Sequence, residues 1–234
     1  MTPVVASRPP VLLATRSAGK LRELRPLFDA LRVPVMDLEE LGLPHDEEED
    51  AIEQFATFEE NAIAKARYFY EVSGGIATVA DDSGLEVTAL GGAPGVRSKR
   101  WASDRAAAIV DAAAGDSGAG GGSSPGQGGE VDSTVDAANN AELLRAMTGV
   151  GDRRARYVCA AAYFGLGREL VERGEVAGEI LDAARGSHGF GYDPYFLARE
   201  LGRTFGEVTG GEKAAVSHRG RAFRALLAAV MRND

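Results

Sequence analysis

Residues 76–84 read Ile-Ala-Thr-Val-Ala-Asp-Asp-Ser-Gly, an apolar run that ends in two adjacent carboxylates. A short apolar run bounded by turn-forming residues is typical of a buried strand, so residues 76–80 are predicted to form a core strand. Apolar and polar residues alternate over 85–89, which predicts a second strand after a tight turn at 81–84. The core of the fold is therefore expected to include this segment.

The two carboxylates at the end of the run, Asp81 and Asp82, repel each other unless a positive charge offsets the repulsion. A magnesium ion would supply that charge, because it takes oxygen ligands and shares them with phosphates. A polar turn whose Asp side chains cap neighbouring N–H groups explains the same residues equally well. Taken alone, the segment leaves both interpretations open.

The elements around this run are predicted from helix caps and apolar periodicity. Thr57 and Glu60 form a capping box that starts a helix, and Gly74-Gly75 stops it. Further strands are predicted over 11–14, 33–36, 155–164, 170–176 and 178–181, and further helices over 21–31, over 135–147 and from Ser217 onward. Because strands and helices intermix along the chain, the predicted class is α/β with a mixed sheet, with α+β as the alternative.

Residues 115–130 interrupt this pattern with a stretch made almost entirely of Gly, Ser, Asp, Pro and Gln. Such a composition buries little apolar surface and predicts a flexible Gly/Ser-rich segment. We interpret it as an insertion within a single domain that spans residues 1–234, because motifs on both sides depend on each other. A linker between two domains is the competing interpretation.

A loop between the first predicted strand and helix reads Thr15-Arg16-Ser17-Ala18-Gly19-Lys20. Backbone N–H groups at the start of a helix attract phosphate, and Lys20 adds a positive charge. The G-x-x-x-x-G-K spacing of a Walker loop is absent. On its own the loop is described as well by a plain strand–helix turn with a surface lysine.

Two further motifs and one acidic residue complete the candidate site. In residues 189–194 (Gly-Phe-Gly-Tyr-Asp-Pro), glycines permit close backbone approach and Phe190 offers a ring for stacking on a base; an ordinary turn is the alternative. Residues 210–221 place cations around a helix start in an otherwise acidic chain, which favours a bound anion over a solvated basic patch. Glu53 lies close to the capping box and is a candidate further metal ligand.

The composition excludes several classes of protein. Of the 234 residues, 44% are hydrophobic and the formal net charge is −9, which describes a globular chain that repels polyanions; nucleic-acid binding is therefore disfavoured. The single cysteine, Cys159, cannot form an internal disulfide, which favours a cytoplasmic location and a buried thiol. No apolar stretch has the length of a signal peptide or of a membrane span, so membrane association is not expected.

Taken in order, these motifs resemble the inosine/xanthosine triphosphate pyrophosphatase family over about residues 11–230. The resemblance is carried by Ala14 to Lys20, Thr57 to Ala62 with Lys65 to Arg67, Ala80 to Gly84, Leu90 to Val96, Phe190 to Pro194, and Glu212-Lys213 with Ser217 to Gly220. It implies an elongated mixed sheet with flanking helices and two lobes around a central cleft. It also implies a magnesium-dependent, homodimeric enzyme that cleaves ITP, dITP and XTP between the α- and β-phosphates, clearing deaminated purines from the nucleotide pool.

The resemblance also implies roles for individual residues. Asp82 matches the general base and a metal ligand, and Glu53 is the best match for the second metal ligand. In the mechanism that we expect, Asp82 or Asp81 deprotonates the attacking water and Lys20 stabilises the departing pyrophosphate. The residues implied in substrate binding are Thr15, Arg16, Ser17, Ala18, Gly19, Lys20, Ser83, Phe190, Gly191, Tyr192, Asp193, Lys213, His218 and Arg219. Arg219 and Lys213 carry only donors, so their contact with a base would favour a 6-oxo purine over adenine.

Ser17 departs from the family pattern, which usually has Asn at this position. A hydroxyl is shorter than an amide and lacks its paired donors, which bears on how the phosphates are positioned. This difference keeps open a non-catalytic nucleotide sensor that binds without releasing pyrophosphate. A pyrophosphatase for other modified or pyrimidine nucleotides is a second alternative, and a nucleic-acid-binding module is a third.

Overall fold

A computed structural model of the chain describes residues 9–113 and 130–232. The predicted insertion at 115–130 therefore lies, apart from residue 130, outside the described residues. Within the described ranges the strands are β1 (Val11–Leu13), β2 (Val35–Asp37), β3 (Thr78–Val87), β4 (Arg154–Gly165), β5 (Arg168–Ile180), β6 (Phe196–Ala198) and β7 (Arg203–Thr204). The helices are α1 (Ala18–Ala30), α2 (Phe58–Val72), α3 (Trp101–Ala113), α4 (Glu130–Ala146), α5 (Gly210–Val216) and α6 (His218–Met231).

The strands follow the order β2-β1-β3-β4-β5-β6-β7 in one sheet. β1 runs parallel to both β2 and β3, whereas β6 is antiparallel to β5 and to β7. The sheet has both parallel and antiparallel pairs, and helices alternate with its strands along the chain, which confirms the predicted mixed α/β class.

The chain divides into two compact units. The first comprises Met1–Ser83, Val158–Val176 and Gly210–Asp234, and the second comprises Gly84–Tyr157 and Ala177–Thr209. Because β3, β4 and β5 each contribute residues to both units, each unit is built from segments that are distant in sequence.

The turn predicted at 81–84 is wrong, because β3 runs without a break through all four residues. Successive side chains of a strand point to opposite faces, so Asp81 and Asp82 are directed apart and each meets its own partners. Separate partners for the two side chains reduce the need for a turn or a metal ion to relieve their repulsion. Likewise, the two strands predicted over 170–181 are the single strand β5.

Local caps fix the ends of the helices that border the site. Thr57 accepts a hydrogen bond from the Glu60 amide at the start of α2, and Ser217 accepts one from the Gly220 amide at the start of α6. Both caps agree with the sequence prediction. Ser17 caps α1 by accepting a hydrogen bond from the Lys20 amide, and Pro26 is accommodated inside this helix.

In the first unit, α1 and α6 share one apolar core with the sheet. Phe28 of α1 and Phe223 of α6 meet edge to face at 6.0 Å between ring centroids, in a cluster that includes Val79 and Cys159. Burial raises the pKa of the Cys159 thiol well above its usual value, so this residue is a structural thiol and not a nucleophile.

The close approach of α6 to β5 depends on Gly174. A Cβ atom at this position would lie 2.1 Å from the His218 carbonyl oxygen and 2.6 Å from the Ala222 nitrogen. Because backbone atoms cannot yield like a flexible side chain, Gly174→Ala is expected to destabilise the protein by about 1–3 kcal/mol. Chemical denaturation measures this difference. Gly151→Ala is the matched control, since that position is open; equal stabilities of the two variants would contradict the prediction.

Candidate active site

Asp81 is the fully buried member of the carboxylate pair. Its Oδ2 atom lies 3.0 Å from Lys20 Nζ of α1 and 3.2 Å from Arg219 Nε of α6. Burial raises the pKa of Asp81, but the charges of Lys20 and Arg219 outweigh that effect and hold the pKa well below its usual range. Asp81 is thus a permanent anion whose structural effect is to fix two cations.

Asp82 lies in a different environment, although it is also buried. Its Oδ2 atom accepts a hydrogen bond of 2.9 Å from Asn61 of α2, and its Oδ1 atom accepts one of 2.8 Å from the Ser83 amide. Burial and the negative charge of Glu53 raise the pKa of Asp82 to about 6. Of the two carboxylates, Asp82 is therefore the one suited to accept a proton near neutral pH.

Asn61 and Lys65, one turn apart on α2, connect Glu53 to Asp82. Lys65 forms an ion pair with Glu53, and Asn61 exchanges hydrogen bonds with the backbone of Phe55, two residues after Glu53. Burial lowers the pKa of Lys65, but the charges of Glu53, Asp81 and Asp82 outweigh it and raise the pKa. Neither Asn61 nor Lys65 was assigned a role from the sequence.

The donor set is compatible with a divalent metal ion that is shared with a phosphate substrate. The described residues contain no group of three or more His, Cys, Asp or Glu side chains placed to hold a metal by themselves. Magnesium usually keeps several waters and takes one or two carboxylates plus phosphate oxygens, so Asp82 with Glu53 is a sufficient protein contribution. The Oδ1 atom of Asp81 is buried without a hydrogen-bond partner, so the described protein atoms leave this oxygen unsatisfied.

Arg219 lies in a buried network that sequence reasoning did not foresee. Its Nε atom donates to Asp81, one terminal nitrogen donates to Glu23 of α1, and the other donates to Ser83 Oγ at 2.8 Å. Lys213 Nζ lies 2.5 Å from the second oxygen of Glu23. Each nitrogen of the guanidinium therefore donates to the protein, which differs from the expected contact with a base. The sequence around Glu23 does not indicate this role, because its partners Lys213 and Arg219 lie far away in the chain.

His218 is buried beside these cations. Burial, together with the charges of Arg219 and Lys213, lowers its pKa well below the usual value. The imidazole is therefore neutral, and it adds no positive charge to the predicted basic cluster.

In the loop predicted to bind phosphate, residues 15–20, several side chains contact other parts of the protein. Thr15 is buried and accepts a hydrogen bond of 3.2 Å from the Ser17 amide, while Ser17 caps α1. Gly19 is buried in the first turn of α1, whereas Ala18 is exposed. Arg16 turns to residues 43–49 of the chain, where it contacts two carbonyls and a carboxylate.

The predicted base-binding loop, residues 190–193, belongs to the second unit and is held by one hydrogen bond within the loop and by others to Ser98 and to helix α4. Tyr192 donates a hydrogen bond of 2.8 Å to the Ser98 carbonyl, and Asp193 accepts one of 2.9 Å from the Phe190 amide. The Gly191 amide donates to Asp136 of α4 at 2.6 Å. Tyr192 and Asp193 thus shape the loop from within, and Phe190 is half-buried.

One strand of a mixed α/β sheet, β3, thus carries two buried carboxylates, and helices α1, α2 and α6 place cations around them, an arrangement suited to an enzyme that acts on phosphate-bearing substrates. The profile of the Ham1 family matches residues 11–119 and 123–229 of the chain. The chain belongs to the Ham1 family.

Named relatives and solved structures agree with this assignment. A dITP/XTP pyrophosphatase of Burkholderia pseudomallei is 41% identical over 95% of this chain and 94% of its own length. One from Mycolicibacterium paratuberculosis is 43% identical, covering 94% of this chain and 95% of that protein. The Ham1 protein of Staphylococcus aureus superposes with a TM-score of 0.72 at 31% identity, over 97% of this chain and all of that one. The family resemblance deduced from the sequence is thereby confirmed.

No helix in the described ranges is both long and apolar enough to cross a membrane.

Proposed function

We propose that this protein hydrolyses the non-standard purine nucleoside triphosphates ITP, dITP and XTP to the monophosphate and pyrophosphate. The observation that carries the proposal is the separation of roles on β3, where Asp81 fixes cations on one face and Asp82 remains able to accept a proton on the other. The names of its relatives, dITP/XTP pyrophosphatases at about 41% identity, supply the substrate class.

The chemistry follows from these contacts. Asp82 takes a proton from a water, whose oxygen attacks the α-phosphorus while the α–β phosphoanhydride bond breaks and pyrophosphate leaves. Lys20, held in place by Asp81, stabilises the negative charge that develops on the leaving group. Asn61 keeps the Asp82 carboxylate oriented throughout.

Asp82 and Glu53 are the residues that would hold a divalent metal, for which we propose magnesium. When bound, the ion supplies positive charge to the phosphate oxygens. Its charge would also lower the pKa of Asp82 from about 6, because a nearby cation favours the carboxylate. Thr15, Ser17, Ala18 and Gly19 complete the triphosphate site through the start of α1.

We propose that Lys213 contributes to selection of the base and that Arg219 does not. Lys213 carries only donors, so a contact with the 6-oxo group of hypoxanthine or xanthine is favoured over the amino group of adenine. Arg219, whose donors face Asp81, Glu23 and Ser83, instead holds this wall of the site in place. Phe190 remains a candidate for stacking on the base.

The proposal extends to a cytoplasmic homodimer. The family resemblance implies the dimer, and the single buried thiol is consistent with a reducing compartment. Light scattering on the purified protein measures the mass of the assembly directly, and a monomer at all concentrations would refute the dimer.

A substrate panel tests the reaction and the base preference together. We expect ITP, dITP and XTP to yield pyrophosphate in the presence of magnesium, with little product from ATP or GTP and none after chelation. Pyrophosphate and orthophosphate are measured separately. Orthophosphate alone would refute cleavage between the α- and β-phosphates, and tight binding of ITP without any product would favour the nucleotide sensor.

A further inference from the structure

Arg16 makes a set of contacts that the proposed reaction does not use. Its Nε and one terminal nitrogen donate to the two oxygens of Glu49 at 3.0 and 2.6 Å. The terminal nitrogens also donate to the carbonyls of Leu43 and Pro44, at 2.8 and 2.7 Å. One side chain from the phosphate loop thus connects to three residues of a separate segment.

That segment leads directly to the candidate metal ligand Glu53. Glu49 lies in a short 3-10 helix, Glu47–Ala51, and its carbonyl accepts a hydrogen bond of 3.2 Å from the Ile52 amide. The Glu49 side chain also accepts a hydrogen bond from the Asp46 amide, as part of a capping box at the start of this helix. Glu53 follows two residues after the helix, so the position of the helix constrains where Glu53 lies.

The geometry requires the guanidinium group. Two parallel contacts to a carboxylate and two to carbonyls use the planar fork of Arg, which a lysine ammonium cannot reproduce. The Glu49 side chain is 10% exposed and that of Arg16 is 32% exposed, so the pair is partly shielded from solvent. These bonds use four of the five guanidinium N–H groups, so a direct contact of Arg16 with phosphate would have to use the remaining N–H or break an existing bond.

We propose that Arg16 is a positioning residue that fastens the segment from residue 43 to residue 53 to the phosphate loop. By doing so it sets Glu53 at a fixed distance from Lys20 and Asp82. This inference rests on the proposed function and assigns to Arg16 a role different from direct phosphate binding.

The first test uses the full-length protein without metal or nucleotide. Hydrogen exchange is measured on wild type, Arg16→Ala, Arg16→Lys and Glu49→Ala. We expect faster exchange at residues 45–53 in all three variants and no change in α6. Arg22→Ala, which removes the same charge from an exposed position of α1, is the matched control. Exchange at 45–53 that stays at the wild-type rate in Arg16→Ala would overturn the proposal.

The second test measures kcat, KM and the magnesium concentration for half-maximal activity with ITP. Residues that orient metal ligands typically change metal affinity or activity by about 10- to 100-fold, so we expect Arg16→Ala and Glu49→Ala each to raise the half-maximal magnesium concentration about tenfold. The effect of the double variant should be smaller than the product of the two single effects, because the two variants share the loss of the Arg16–Glu49 pair, although each also loses contacts of its own. Arg16→Lys should not restore the wild-type value.

Other outcomes discriminate between the explanations. If Arg16 bound phosphate, Arg16→Ala would raise KM while Glu49→Ala would not, and the positioning role would be refuted. A drop in thermal stability without any change in magnesium dependence would refute it as well. If wild type released no pyrophosphate, the proposed function would fail, whereas hydrogen exchange would still decide whether Arg16 holds the segment.

Discussion

Asp82→Asn is expected to lower kcat for ITP hydrolysis by about 100- to 10,000-fold, which is the usual contribution of a general base. Asparagine has nearly the same shape and can still be placed beside Asn61, but it cannot accept a proton from water and loses one charge toward a metal. The buried site should therefore remain folded. Pyrophosphate release under single-turnover conditions measures the chemical step, and circular dichroism checks the fold.

Asp81→Asn is the informative comparison, because it makes the same replacement, a carboxylate by an amide, at the adjacent residue. It should reduce stability as well as activity, since Lys20 and Arg219 would lose the carboxylate that fixes them. Asp29→Asn, at an exposed position of α1, controls for the loss of charge alone. If Asp82→Asn retained more than about a tenth of the wild-type turnover, the assignment of Asp82 as the base would be wrong.

Arg219→Met is expected to lower the free energy of unfolding by about 3–5 kcal/mol, the usual effect of breaking a buried ion pair by removing one partner. Methionine fills part of the space but leaves Asp81 and Glu23 with less compensation for their buried charges. The resulting loss is large relative to the total stability of an ordinary domain. Urea denaturation, followed by circular dichroism, measures it.

The control for this variant is Arg221→Met in the same helix. Arg221 donates to the carbonyl of Glu175, so removing this contact leaves no carboxylate without its partner cation. The decrease in the free energy of unfolding should therefore be smaller. The two roles considered for Arg219 also predict different selectivities. If Arg219→Met kept wild-type stability but no longer discriminated ITP from ATP, Arg219 would be a base-reading residue and the positioning role would be refuted.

Features governed by neighbours in sequence were predictable. Thr57 with Glu60, and Ser217 before an apolar face, specify helix starts through side-chain hydrogen bonds that span three residues. The structure has both caps where they were expected. The apolar runs that form β1 and β4 were recognised for the same reason, since burial on both faces leaves a continuous apolar signature.

Features governed by distant partners were not predictable. Asp-Asp-Ser-Gly has the local composition of a turn, but in the structure it is part of a sheet and its carboxylates are paired with Lys20, Arg219 and Asn61 from three different helices. Gly178 resembled a break in β5, whereas a Cβ there would meet the Leu197 carbonyl at 2.4 Å. Such glycines mark close approach of another segment, which periodicity cannot show.

The residues of the candidate site likewise fall into those that the sequence predicts and those whose role depends on distant partners. The residue types needed for phosphate and metal chemistry, such as Lys20, Asp82 and Glu53, stand out from the motifs. Glu23 does not, because its role arises from pairing with Lys213 and Arg219, far away in the chain. For Arg16, the motif suggested phosphate, whereas the structure places its side chain on Glu49.

The opposite facing of Asp81 and Asp82 has a consequence for how this chain can change in length. Val79 pairs with Leu13 of β1, and Ala80 lies between Val79 and Asp81. Deleting Ala80 would turn the side chain of Asp82 toward the cations of α1 and α6 and that of Asp81 toward α2. Both carboxylates would still be present, but Asp82 would take the place of Asp81, Asp81 that of Ala80, and Ser83 that of Asp82. Insertions and deletions in this strand should therefore be far less tolerated by selection than substitutions, and a library that varies loop lengths should leave it untouched.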